Sequence, residues 1–364
     1  MQPLIGTAEV LDSSQASRWN SLFELLPDDL KDINYTFAYH ELFEKNGDGK
    51  IRLFVYQSGN SIFYYPFLLR PILNEVVSEG FHDIETVYGY TGPLCTTSNP
   101  EFIQEAMSAF RDYCTNEKVI CEFIRFHPLI RNHIVDYSDT RLKLIPLRDY
   151  VYVDLTKSET DIWNGYSPQN RNKIRKAEKL EVKIDSMFSS ERYNEFVRIY
   201  LDNMKLVHAA KMYLFSKPFF TALAELVQRN GIFIQAQKNN VLVGAAVFFG
   251  GKKIAHYFLA SATSEGKNMA VSNLILHHGT QWAKKNGMEK LHLGGGVSQN
   301  ANDPLLVFKS NFSALTEKFY IGKRIHNEDV YKTLVEDWDK RFQKESGKYQ
   351  SILQRYRWTD EDLT

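Results

Sequence analysis

Lys309 stands between Phe308 and Ser310, with Phe312 close behind, so an ammonium group is set into an apolar stretch. A lysine in such surroundings either finds a partner or loses its charge, unless its stem packs while its head reaches water. Upstream, Gly294, Gly295 and Gly296 end an apolar run. Glycines there let a ligand approach the backbone, or supply a turn that needs positive φ. Asp303 precedes Pro304 and offers a carboxylate to an incoming ammonium or its proton; the plainer reading is a turn or N-cap aspartate. Tyr213 could donate its phenol to a leaving group or a tetrahedral oxyanion, against the commoner role of a packed tyrosine. A basic run, from Asn170 to Lys179, carries Arg171, Lys173, Arg175, Lys176 and Lys179. Arg171 and Arg175, four apart, share a helix face. Guanidiniums so paired suit a phosphate or diphosphate, although a charge run is more often a solvated face. Asn170 and Tyr257 are grouped with them as substrate contacts.

Other chemistries find little support. His256 lies among apolar neighbours and reads as a satisfied core histidine, and the adjacent His277 and His278 point to different helix faces, so they make no metal pair. There is no Ser-His-Asp arrangement, nucleophile elbow or Walker loop. The 44 basic and 44 acidic residues balance, which argues against a protein living on phosphate-backbone contacts to DNA. Three cysteines without a C-x-x-C pair indicate a reducing compartment and no structural zinc. Met1–Asp12 lacks the pattern of a secretory leader, and no run approaches the ~18 apolar residues of a membrane span. The expected location is the cytoplasm, with transient contact to a membrane surface allowed.

The elements that must position these residues recur. Thr36–Asn46 reads as a helix, Ile51–Gln57 and Ser61–Arg70 as a hairpin, Glu85–Leu94 as a strand with a Gly/Pro loop, Glu101–Asn116 as a helix and Val119–Phe126 as a strand. The same order returns in helix Lys217–Arg229, strands Gly231–Gln237, Val241–Gly250 and Lys253–Ser261, helix Ala270–Lys285 and strand Met288–Leu293. The turns Ser58-Gly59-Asn60 and Lys238-Asn239-Asn240 tolerate the positive φ that tight hairpins require. At 364 residues the chain suits two such units. The expected fold is α/β, of the α+β type, with mixed sheets in two tandem halves, 1–147 and 148–326, and a helical C-terminal tail, 327–364, docking on the body.

Three patterns carry a resemblance: Tyr88-Gly-Tyr-Thr-Gly-Pro-Leu94; Tyr152-Val-Asp-Leu155 followed by Ser167-Pro-Gln-Asn-Arg-Asn-Lys-Ile-Arg-Lys-Ala177; and Leu293-Gly-Gly-Gly296 followed by Leu306-Val-Phe-Lys-Ser-Asn-Phe312. They resemble the Fem-type peptidyltransferases, which build peptidoglycan interpeptide bridges, and the wider Fem-like GNAT proteins. The resemblance implies two tandem GNAT-like domains, the first on the acceptor side and the second on the donor and catalytic side. It implies transfer of an acyl or aminoacyl group to an amine of a nucleotide- or lipid-linked cell-wall or surface-polysaccharide precursor. The donor would be aminoacyl-tRNA or acyl-CoA, with no tightly bound cofactor and no metal. Lys309 would lie at the acceptor phosphate or the developing oxyanion; Tyr213 and Asp303, read from the residues themselves, complete the catalytic candidates. Gly266, Lys267, Asn268 and Ala270 would hold the donor. The stretch Ser264–Ser272 keeps one glycine of the diphosphate turn found in acetyl-CoA-dependent relatives and lacks the second, which weakens the CoA reading. A CoA-dependent N-acetyltransferase and a non-catalytic binding protein on the same fold are the alternatives.

Overall fold

The computed structural model describes residues 6–77, 79–135, 137, 139, 141–298 and 300–363, so Met1–Ile5, on which the leader reading partly rests, lie outside it. Two compact units emerge. Unit 1 comprises 1–30, 34–147 and 319–364; unit 2 comprises 31–33 and 148–318.

In chain order unit 1 contains β1 (Thr7–Leu11), α1 (Ala16–Glu24), α2 (Phe37–Asn46), β2 (Lys50–Ser58), β3 (Ser61–Pro71), β4 (His82–Glu85), β5 (Leu94–Cys95), α3 (Pro100–Asn116) and β6 (Val119–Arg125). β7 (Lys143–Asp154) follows, its residues from 148 onward counting with unit 2. The hairpin β2–β3 is antiparallel, β4 pairs antiparallel with β3, and β6 runs parallel to β4. Gly59 takes the positive φ of +56° that the hairpin turn demands. The loop after β4 holds Gly89 and Gly92 at φ +113° and +77°, so the glycine-proline pattern there serves backbone geometry. α3 starts on an Asn99 cap with Pro100 in its first turn. It lays Phe102, Met107 and Phe110 onto Phe54, Tyr65 and Phe67 of the sheet, each of these buried helix side chains contributing about 1.5–3 kcal/mol.

Unit 2 continues with α4 (Glu159–Gly165), α5 (Pro168–Lys179), β8 (Lys183–Asp185), α6 (Ser190–Leu206), α7 (Lys217–Asn230), β9 (Gly231–Lys238), β10 (Val241–Gly250), β11 (Ile254–Ala262), α8 (Ser264–Asn268), α9 (Val271–Lys285), β12 (Lys290–Gly294) and α10 (Pro304–Ser310). Its strands are ordered β7-β12-β11-β10-β9-β8, with β11 and β12 parallel and the β9–β10 and β10–β11 pairs antiparallel. The hairpin, third strand, helix and parallel fourth strand of unit 1 are thus repeated, as the sequence order suggests. Asn239 and Asn240 supply the turn at φ +51° and +68°. α9 packs Leu274, Ile275 and Ala283 into a core with Val151, Phe248 and Leu291. Gly279 lets α9 approach, since a Cβ there would lie 2.1 Å from the Phe248 ring.

β13 (Thr316–Ile325), α11 (Glu328–Arg341) and α12 (Gln343–Tyr349) complete the chain. The residues expected to form a helical tail docking on the body group with unit 1, and that grouping begins at Phe319, ahead of position 327. The reason is pairing and burial: β13 adds antiparallel to β6, and Leu334, Trp338, Leu353 and Tyr356 pack on Ile72, Ile120 and Cys121.

Candidate functional site

The parallel pair β11–β12 holds register only through Ile254–Lys290, Ala255–Leu291 and His256–His292. β11 runs on to Ala262 beside β10, while β12 ends at Gly294, so no register pair joins them beyond His256. At this departure β11 carries a bulge: Val247 pairs with Leu259 but Phe248 pairs with Tyr257, which leaves Phe258 as the extra residue. Two parallel strands that separate in mid-sheet leave backbone edges that a carbonyl-bearing ligand can approach. The bulge carries no sequence signature and was missed from sequence.

The three glycines at the end of β12 are there for distinct reasons. Gly294 adopts φ +81°, a left-handed conformation that a side chain disfavours. A Cβ on Gly295 would lie 2.3 Å from the Tyr150 ring, and one on Gly296 2.5 Å from the Asp303 carboxyl carbon. Lys309 is 8% exposed and donates to the Gly295 carbonyl at 2.7 Å. Arg148 donates to the carbonyls of Gly296 at 2.7 Å and Val297 at 2.8 Å. Asp303 caps α10 through the amides of Leu305 and Leu306, and accepts from the amides of Val297 and Ser298 and from the Ser298 hydroxyl. Burial opposes its ionisation, yet these donors outweigh that and hold its pKa near 2. The pKa of Lys309 is depressed to about 7, mainly by burial, with Asp303 opposing and Arg148 reinforcing the shift. Lys309, Asp303 and the glycines are therefore one assembly, and Arg148 is a member that nothing in its sequence context marks.

The basic helix is used differently. Arg171 donates to the carbonyls of Asn164 and Tyr166, closing the α4–α5 turn, and Arg175 lies over the Trp163 ring, 5.5 Å from its centre. Asn170 is fully buried, donates to the Asn311 carbonyl and accepts from Asn273. Among the described residues no hydrogen bond or ion pair links Arg171 or Arg175 to Lys309, Asp303 or the glycines. Their spacing places them on a helix, and local carbonyls and an aromatic ring take up their guanidiniums.

The donor stretch is helical. Thr263 caps α8 by accepting from the Gly266 amide at 3.0 Å, and a Cβ on Gly266 would sit 2.0 Å from the Val243 carbonyl oxygen. Lys267 donates to Asn203, the Asn268 carbonyl accepts from Lys176, and Ala270 enters α9 at φ +60°. Gly266 is thus a packing glycine. Tyr257 is the first β11 residue past the last β12 pair; its ring lies 5.2 Å from that of Phe248, and burial raises its phenol pKa. Tyr213 follows α6 in a short turn, where its carbonyl accepts from the Tyr200 hydroxyl. His256 is buried and bonded to Asp32 at 2.7 Å, as a satisfied core histidine should be. A cavity of about 280 Å³ between α4 and α9 is lined by Trp163, Tyr166, His277 and Lys284, but by none of the Lys309 assembly.

Comparisons with known proteins bear on the fold. Residues 168–302 match the acetyltransferase (GNAT) domain family. FemX superposes with a TM-score of 0.68 over 89% of this chain and 99% of its own, at 11% identity. A C-terminal domain assigned to a lysylphosphatidylglycerol synthetase of Agrobacterium fabrum gives 0.55 over 91% and 97%, at 11% identity. L-PGS from Bacillus licheniformis gives 0.55 over 85% and 91%, at 13% identity. None of the curated proteins matches in sequence. The chain has a GNAT fold like that of FemX, and residues 168–302 of its second unit are similar to the acetyltransferase (GNAT) domain family.

Proposed function

We propose that this protein transfers an aminoacyl group to an amine of a nucleotide- or lipid-linked cell-wall or surface-polysaccharide precursor. The observation that carries the reading is the buried Lys309 amine, 2.7 Å from the Gly295 carbonyl, at the end of the strand that leaves β11. The donor carbonyl enters between β11 and β12. The acceptor amine attacks it, the C–N bond forms, and the tetrahedral oxyanion collapses to expel the donor's alcohol, which takes up the proton lost from the amine. Lys309 offers the oxyanion a cation in a dry site, where such stabilisation is worth most. With a pKa near 7 it also gives up or regains a proton at little cost around neutrality. Asp303 and Arg148 hold the loop so that this geometry is set before substrate arrives. The similarity to FemX and to lysylphosphatidylglycerol synthetase supports an aminoacyl donor and a cell-wall or lipid-linked acceptor.

A second reading, an N-acetyltransferase that uses acyl-CoA, is favoured by the match of residues 168–302 to acetyltransferases. The helical α8, with its Gly266 amide taken by Thr263, favours the first. Charged tRNA and acetyl-CoA, each offered with amine-bearing nucleotide-linked precursors, decide between them by product mass. Aminoacylated product only with charged tRNA supports the proposal; acetylated product only with acetyl-CoA replaces it, and no product with either overturns both.

A further inference from the structure

Helix α6 ends in an exposed apolar surface that is held in place. Leu206 and Val207 are 74% and 61% exposed, and Met212 and Leu214 of the following turn are 45% and 42% exposed. Large apolar side chains this open and this close in sequence mark a surface that meets something other than water. Their exposure does not come from a detached loop. The Tyr200 hydroxyl donates to the Tyr213 carbonyl at 3.0 Å, tying the turn back to α6. Asn203, one turn before Leu206, donates to Ser261 Oγ at 2.6 Å and to the Ala262 carbonyl at 2.9 Å, and accepts from Lys267. The patch is thereby anchored to the last residues of β11, the strand that opens away from β12.

Its charge indicates what it meets. Exposed lysines 205, 217 and 267 accompany the patch, and His208 lies within it. The acidic residues of the same stretches are Asp202 and Glu265. Apolar side chains with a basic surround match an anionic bilayer surface: the apolar tips enter the boundary between headgroups and chains, and the lysines meet lipid phosphates. We propose that Leu206, Val207, Met212 and Leu214, with Lys205, Lys217 and Lys267, form a docking surface for an anionic membrane. Such docking would bring a lipid-linked acceptor to the opening beside β11; this consequence rests on the reading above, while the docking itself does not.

Co-sedimentation with vesicles tests it without using turnover, so its failure is distinct from failure of the transfer reading. The full chain is expected to sediment with phosphatidylcholine vesicles containing phosphatidylglycerol, less so as salt rises, and little with phosphatidylcholine alone. Lys205→Ala and Lys217→Ala should each weaken partitioning about fivefold. Leu206→Asp with Met212→Asp should weaken it tenfold or more, with unchanged circular dichroism melting; Leu206→Ser with Met212→Ser serves if the first pair misfolds. No binding to phosphatidylglycerol vesicles, or binding indifferent to the apolar substitutions, overturns the proposal. Competition by soluble glycerol phosphate would assign binding to a headgroup pocket and also overturn it.

Discussion

Lys309 carries its charge at a cost set by burial, and that cost is measurable. In the unfolded chain a lysine titrates near 10.5, whereas here the amine titrates near 7. Between these values the unfolded state binds more protons than the folded one, so this group makes stability rise with pH from about 7 toward 10. Below pH 7 the penalty of burying the ammonium is present in full. Lys309→Met is expected to remove that slope while keeping the stem's packing, which denaturant titrations at pH 6, 8 and 10 would show. In the transfer assay the same variant should lower turnover roughly a hundredfold, as loss of one oxyanion donor does. A raised Michaelis constant with unchanged turnover would assign Lys309 to binding alone. Lys309 and Asp303 were legible in the sequence because polar residues stand out in apolar and turn contexts. Arg148 was not, since what distinguishes it is the pair of carbonyls it meets, 148 and 149 positions away in the chain.

At the scale of elements, close approach decides which substitutions hurt. Gly266 lets α8 settle on the Val243 carbonyl, and a backbone oxygen cannot rotate aside. Gly266→Ala is therefore expected to destabilise unit 2 by about 1–3 kcal/mol, read as a lower denaturation midpoint. In unit 1 the end of β4 is held by charge. Glu85 is paired with Arg70 and Arg125, while Arg70 also pairs with Asp83. Burial raises the Glu85 pKa, but the two arginines outweigh this and bring it to about 2, below its ordinary 4.5. Its contribution is thus in place above pH 4.5 and lost as pH falls through 2. Glu85→Gln should cost about 3–5 kcal/mol at neutral pH, because it takes the paired carboxylate from Arg125 and leaves Arg70 with only Asp83 of its two. It should also flatten the acid limb of the stability profile. The hairpins and helices were readable because alternation and 3.6-residue periodicity are local signals. The bulge at Phe258 arises from how β10 and β11 register, which no local signal encodes.

At the scale of the molecule, unit 1 depends on the end of the chain. Trp338 is fully buried, its ring is 5.0 Å from that of Phe342, and its indole donates to the Trp358 carbonyl. Tyr356 bonds Asp83 and lies against Cys121, while Arg357 also reaches Asp83. Trp338→Ala is expected to cost about 3–5 kcal/mol and to open Cys121 to thiol reagents that do not reach it in the intact protein. Unchanged thiol reactivity together with an unchanged melting temperature would show that the C-terminal helices do not support unit 1.

What the sequence determined by itself was the order of elements, the doubling of that order and the residue types at the strand end, because periodicity, turn chemistry and composition act over a few residues. It also carried a Fem-like resemblance, and the fold is similar to that of FemX. The tertiary structure alone decided how each charge is used. Arg171 and Arg175, paired on one helix face, are taken by carbonyls and a tryptophan ring, while Lys309 is brought under the Gly295 carbonyl and loses much of its basicity. A cation's role depends on which acceptors surround it and how much water is left, and both are set by segments far apart in the chain. The tail's place has the same cause: from Phe319 the chain joins unit 1 because β6 offers it a hydrogen-bonding edge and Ile72 and Ile120 a surface to bury.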